Sequence, residues 1–175
     1  MDFNSKAYTY VRGLIYIPIF LLLHYLFDWF PNNILFQIFS GTEESVFQHM
    51  KVGFYAYFIL TALEFGIFKK KISDSSKFLW SRLMGLLLLP WLIFVFWYTA
   101  PAVYGFIPFM WLEILYANIC VYLTILFISI FERAFQDIEF STPVKTCLLI
   151  LLGLLILEFT LFSFKMPWAD LFAAP

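Results

Sequence analysis

The sequence predicts an all-α integral membrane protein: a bundle of about five transmembrane helices, with residues 1–175 forming a single transmembrane helical domain. Three observations lead to this fold class. Only 13% of the residues are charged and 63% are hydrophobic, whereas soluble domains carry about 25% charged residues. Mean hydropathy is +0.86. The aromatic share is 23%, with 24 Phe, which suits surfaces that meet lipid and the membrane interfaces. So few charges do not cover a compact water-soluble fold of this length.

Five apolar stretches are long enough to cross a hydrocarbon core about 30 Å thick. The first covers about residues 11–30 and stops at Pro31, with Asn32 and Asn33 as turn residues. Lys6 and Arg12 give it a signal-like start. Its length exceeds the roughly 7–15 residues of a signal h-region and no small-x-small site follows, so a retained first helix is expected. The second covers about residues 46–68 and stops at Lys69-Lys70-Lys71. The segment before it, Ser40-Gly41-Thr42-Glu43-Glu44-Ser45, reads as a helix start. Ser40 and Glu43 fit a capping box, with Ser45 or Thr42 as alternative caps. The third, fourth and fifth stretches cover about residues 78–99, 108–131 and 146–164. Pro18 and Pro90 fall inside the first and third, where each removes a backbone hydrogen bond and is expected to bend its helix.

Orientation follows from the basic residues. With five spans, Lys6, Arg12, Lys69, Lys70, Lys71, Lys77, Arg82, Arg133 and Lys145 share one side, and Lys51 and Lys165 lie opposite. The positive-inside rule then puts the N-terminus in the cytoplasm and the C-terminus outside. The formal net charge of −1 gives no bulk electrostatic drive towards nucleic acid. Cys120 and Cys147 each stand alone in an apolar run, without a CxxC pattern, and are expected as buried free thiols acting as small hydrophobes.

Ionisable residues inside a membrane are costly, so their placement carries the functional signal. His24 and Asp28 lie in the outer half of the first span, spaced i, i+4 on one helix face. Glu44 lies in the outer loop, and Gln48 and His49 in the first turns of the second span. Glu113 lies near the outer start of the fourth span with Asn118 a little deeper, and Glu158 in the outer half of the fifth. Both histidines and these carboxylates therefore map to one leaflet.

Three readings of this collection stay open. His24, Asp28, Glu44 and His49 suit a divalent metal such as zinc, which takes N and O ligands and activates a bound water. The same four residues without metal suit acid–base catalysis in a low dielectric. The third reading is a hydrogen-bonded network that joins the outer helix ends. Gln48, Glu113 and Asn118 are candidate ligand-binding residues in either functional case.

The remaining charges have plainer expectations. Glu64 is expected in an interfacial ion pair with Arg82 or the lysine run. Glu132, Arg133, Asp137 and Glu139 are expected in a solvated cytoplasmic loop. Lys69-Lys70-Lys71 is an orientation signal with weak anionic-lipid binding as a secondary role. Trp29, Trp97, Tyr98, Tyr104 and Trp111 read as an aromatic belt at the outer interface.

At His24-Tyr25-Leu26-Phe27-Asp28-Trp29, followed by FSGTEESVFQHMKVGF, the chain resembles a family of small prokaryotic polytopic membrane proteins classed as a domain of unknown function. Its members pair an H-x-x-x-E-W motif with a downstream N-E-S-V-W-E-H-L-K motif. His24, Trp29, Glu44, Ser45, Val46, His49 and Lys51 match that pattern. Asp28 stands where the family has Glu, and Phe47-Gln48 where it has Trp-Glu. The resemblance covers roughly the first half of the chain. It implies a topology, a residue set and a prokaryotic plasma membrane, but no reaction. The His-x-x-x-acid spacing on a membrane helix is also similar to the sterol-isomerase and emopamil-binding group, whose members use it for proton transfer or cationic ligands.

The expected function is an outward-facing His/carboxylate site that binds or processes a small amphiphilic or lipid-like molecule. As an enzyme it would be a metal-dependent hydrolase or an acid–base isomerase on a lipid-like substrate. The alternative is a non-catalytic membrane subunit or transport component whose polar cluster binds substrate or partner. The expected partners are the bilayer and the amphiphile, with no nucleic acid.

Overall fold

The computed structural model describes residues 5–105 and 107–172, with only the backbone of Asp170. Five helices are long and apolar enough to cross a membrane. The first, α1 (Lys6–Trp29), is capped by Ser5, whose side chain accepts from the Tyr8 amide. It ends at Phe30 and Pro31, and Asn32 takes a left-handed φ of 72°, a conformation that Asn tolerates better than most residues. Asn33 then caps a short helix, α2 (Ile34–Phe39), which the hydropathy pattern does not mark. No residue of α2 is buried. Ser40 follows it, buried, with its hydroxyl bonded to the Leu23 carbonyl and to the Phe27 amide. The loop is thereby tied to the last turns of α1.

Ser45 is the cap that begins α3 (Val46–Phe68), its side chain accepting from the Gln48 amide. A 3-10 turn at Lys69–Lys71 closes the helix. Asp74 caps α4 (Ser75–Tyr104) through the Ser76 and Lys77 amides. Pro90 and Pro101 both lie within this one continuous helix. Pro101 has no N–H for the Trp97 carbonyl four residues earlier. The Tyr116 hydroxyl reaches that carbonyl at 3.2 Å and also bonds the Phe96 carbonyl and the Ala100 amide. Two further helices follow, α5 (Met110–Phe135) and α6 (Thr142–Phe162).

The helices α1, α3, α4 and α5 close a ring, each packed on its two neighbours, and α6 lies outside against α4. Phe159 of α6 reaches α3 through Phe47 and Phe54. Leu148 and Phe159 are the only buried residues of α6 among those described, so most of this helix is left uncovered by the rest of the bundle. The most buried member of the ring is α3, half of whose spanning window is buried. Gly13 brings α1 close to α5: a Cβ there would stand 2.5 Å from a Tyr122 ring carbon.

Four expectations need correction. The fourth span runs on to Phe135, so Glu132 is not in a solvated loop but buried at 3% exposure. Glu64 pairs with Arg82 as expected, but at 2% exposure, in the interior rather than at an interface. Cys147 is exposed, whereas Cys120 is buried as expected. Ser40 forms no capping box; Ser45 is the cap.

At the end of the bundle opposite the histidines, each ring helix contributes one charged residue: Arg12 from α1, Glu64 from α3, Arg82 from α4 and Glu132 from α5. Arg12 Nε donates to Glu64 Oε1 at 2.8 Å, and its Nη1 donates to Glu132 Oε2 at 2.6 Å and Ser129 Oγ at 2.9 Å. Arg12 Nη2 donates to the Tyr57 hydroxyl, and the Tyr8 hydroxyl donates to Glu64. Arg82 pairs with both carboxylates. Two cations and two anions balance, which is the condition for tolerating them in a low dielectric. Gly85 makes room, since a Cβ there would lie 2.6 Å from Glu132 Oε1.

Candidate functional site

Three side chains meet at the histidine end. His24 comes from the last third of α1, His49 from the first turn of α3, and Glu44 from the loop just before that helix. The shared cap of α3 orients His49. The Ser45 carbonyl lies 2.8 Å from His49 Nδ1. A carbonyl only accepts, so Nδ1 carries the proton and Nε2 presents its lone pair. Metal-binding histidines characteristically use this arrangement, with the distal ring nitrogen donating to a backbone carbonyl.

The two imidazoles stand 4.9 Å apart between centroids and nearly perpendicular. The ring of His24 stacks on Tyr25 and that of His49 on Trp97, which limits the rotation of both. Gly41 lets the loop pass beside His24, since a Cβ there would stand 3.2 Å from Nδ1. One carboxylate oxygen, Glu44 Oε2, lies 3.5 Å from His24 Nε2 and 3.5 Å from His49 Nε2.

These distances are long for hydrogen bonds but suit a shared ion. Ligands at about 2.1 Å from a tetrahedral zinc lie roughly 3.4 Å from one another. One ligand atom from each of His24, Glu44 and His49 falls within 4.8 Å of the others. Both histidine side chains are nearly buried, at 12% and 13% exposure, whereas Glu44 is 62% exposed. An ion therefore has a path in past Glu44. The neighbouring His24 holds the Glu44 carboxyl below the usual carboxylate range against the opposing effect of burial.

The three residues face a cavity of about 550 Å³ between α1, α3, α4 and α5. Glu113 and Asn118 of α5 line it as well, among apolar neighbours such as Phe20, Trp97 and Val121. Asn118 also donates to the Ile114 carbonyl of its own helix.

Two expected site residues are not brought in. Asp28 is exposed and belongs neither to the donor group nor to the cavity lining. An i, i+4 step still rotates about 40° around the helix, and here that rotation separates the pair. Gln48 is buried, with Nε2 4.0 Å from Met166 Sδ and Oε1 without a hydrogen-bond partner. It neighbours His49 on a helix, so the two side chains leave about 100° apart. Trp97, expected only as part of an aromatic belt, is a wall of the site. Its depth near the outer end of α4 was the available signal.

A second cavity, of about 340 Å³, opens over the Arg12, Arg82 and Glu132 network at the opposite end. No protein-family model matches this chain, and neither does any curated protein or solved structure.

Proposed function

We propose that the chain is a membrane protein whose His24, Glu44 and His49 hold one divalent metal ion, zinc by the chemistry of the donors, at the edge of a cavity for an amphiphilic molecule. The observation that carries this reading is the shared 3.5 Å spacing of Glu44 Oε2 from both histidine Nε2 atoms. The fixed Nδ1 donation of His49 supports it. Three protein ligands leave a fourth position open, the pattern of catalytic rather than structural zinc.

That open position adjoins the cavity, whose mixture of apolar walls and a few polar groups is typical of small-molecule sites. A zinc-activated water would serve hydrolysis of an ester, amide or phosphoester bond in a lipid-like substrate. Under the positive-inside orientation this end of the bundle faces outward from the cytoplasm, in keeping with a multi-pass protein of a prokaryotic plasma membrane.

Elemental analysis of the purified chain tests the reading. One zinc per chain in wild type, lost in His24→Ala and His49→Ala, is expected. Metal-free wild type, with both variants failing to fold, would reduce the cluster to a structural network.

A further inference from the structure

The charges facing the cavity are unbalanced. Glu44 and Glu113 line it, and no Lys or Arg does among the described residues. Glu44 is occupied by the two histidines. Glu113 has no ion pair or side-chain hydrogen bond among the described residues, although it is only partly exposed. The rings of Phe20, Tyr25 and Trp97 line the same space, and aromatic faces attract cations. A carboxylate without a salt partner and aromatic rings lining one cavity are the recognition chemistry of an ammonium group.

The cavity also opens to the surface between two helices. The helices α1 and α5 pack closely where Gly13 meets Tyr122. Nearer the histidines the same pair parts around the cavity, with Leu21 and Tyr25 on one wall and Met110 and Ile114 on the other. Tyr25, Met110 and Ile114 are 43%, 76% and 52% exposed. Residues that line a cavity and are also exposed mark its mouth, here between α1 and α5. Both α1 and α5 are long and apolar enough to cross a membrane, so an apolar chain lying in this mouth would sit beside the bilayer.

We infer that the occupant is a membrane amphiphile with an amine in its headgroup, its ammonium on Glu113 and its apolar chain lying out between α1 and α5. The metal-binding group of the headgroup, a phosphate or carbonyl oxygen, then faces His24, Glu44 and His49. Only this last placement rests on the function proposed above. The ammonium subsite stands on Glu113 and the aromatic lining alone.

The test uses the full chain in an uncharged detergent, with and without one equivalent of zinc. Two short-chain lipids with the same acyl chains serve as probes, one with a phosphoethanolamine headgroup and one with a phosphoglycerol headgroup. Binding is followed by tryptophan fluorescence. Wild type is expected to bind the phosphoethanolamine lipid about tenfold more tightly, the usual weight of a charge-assisted hydrogen bond. Glu113→Gln should abolish the preference while keeping zinc content and melting temperature, and Glu113→Asp should restore part of it. Equal affinity for the two lipids, or a preference that survives in Glu113→Gln, overturns the inference even if zinc binds. A Glu113-dependent preference in a protein that takes no zinc upholds it and removes the metal reading instead.

Discussion

Arg12 Nη1 donates to Glu132 Oε2 at 2.6 Å, joining α1 to α5 across 120 positions of the chain. The same guanidinium holds Glu64 of α3, and Arg82 of α4 reaches both carboxylates. One ion network therefore ties together all four ring helices at a single depth. Its energetic meaning differs from that of the histidine cluster, and mutation separates the two.

Removing one member of the network leaves a buried charge without compensation, at a cost of about 3–5 kcal/mol. Glu132→Ala is therefore expected to lower the melting temperature in detergent sharply or to prevent recovery of folded protein. Arg12→Ala should be at least as damaging, because it leaves Glu64 and Glu132 to share the single guanidinium of Arg82. Thermal unfolding followed by circular dichroism reads the effect, and a change of only a degree or two would show that the network contributes little.

The histidine end should respond in the opposite way. His49→Ala and His24→Ala are expected to keep the protein folded in zinc-free buffer, with melting temperatures near or above wild type. Sites arranged for binding are often stabilised by truncation. Each substitution should still abolish zinc binding, since both imidazoles are needed for one ion. A sharp loss of folded protein in both, with no metal in wild type, would mark the cluster as structural.

Zinc affinity should fall on the acid side with a midpoint set by the histidines rather than by Glu44. Ligand atoms must be deprotonated to bind metal, and histidine ordinarily titrates near about 6.5. The Glu44 carboxyl is held below its usual range by His24. A depressed value means that the contribution of the His24–Glu44 contact to stability is present above the carboxylate range and lost as pH falls through it. That contribution is small, because Glu44 is mostly exposed. Zinc titrations between pH 5 and 8, run beside Glu44→Gln, are expected to show the same acid edge in both at weaker overall affinity in the variant. An edge that moves with the substitution would contradict this assignment.

The positive-inside rule predicts Lys70 and Lys145 on the cytoplasmic side, with Glu44 and Lys165 opposite. Single cysteines at these four positions, in a background without Cys120 and Cys147, should label from opposite faces of the membrane in those two pairs. Labelling of positions 44 and 70 from one face would invert the whole assignment.

The count of spans, and the grouping of His24, Glu44, His49 and Glu113 at one end of the bundle, were legible in the sequence. Both are properties of length and chain direction: an apolar run about 30 Å long crosses the core, and alternating spans put known depths on known sides. What the sequence left open is the rotation of each helix about its own axis. Spans that are apolar nearly all round carry little periodicity to set it. Only tertiary packing decided that Asp28 turns away while Glu44 joins the histidines, and that Gln48 faces Met166 instead of the cavity. The same packing decided that Arg12 and Glu132, which read in sequence as an orientation signal and a loop charge, meet inside the bundle. Their partners lie as many as 120 residues away. The pairing of two buried charges depends on which faces of two helices meet, and that is fixed where the side chains interlock.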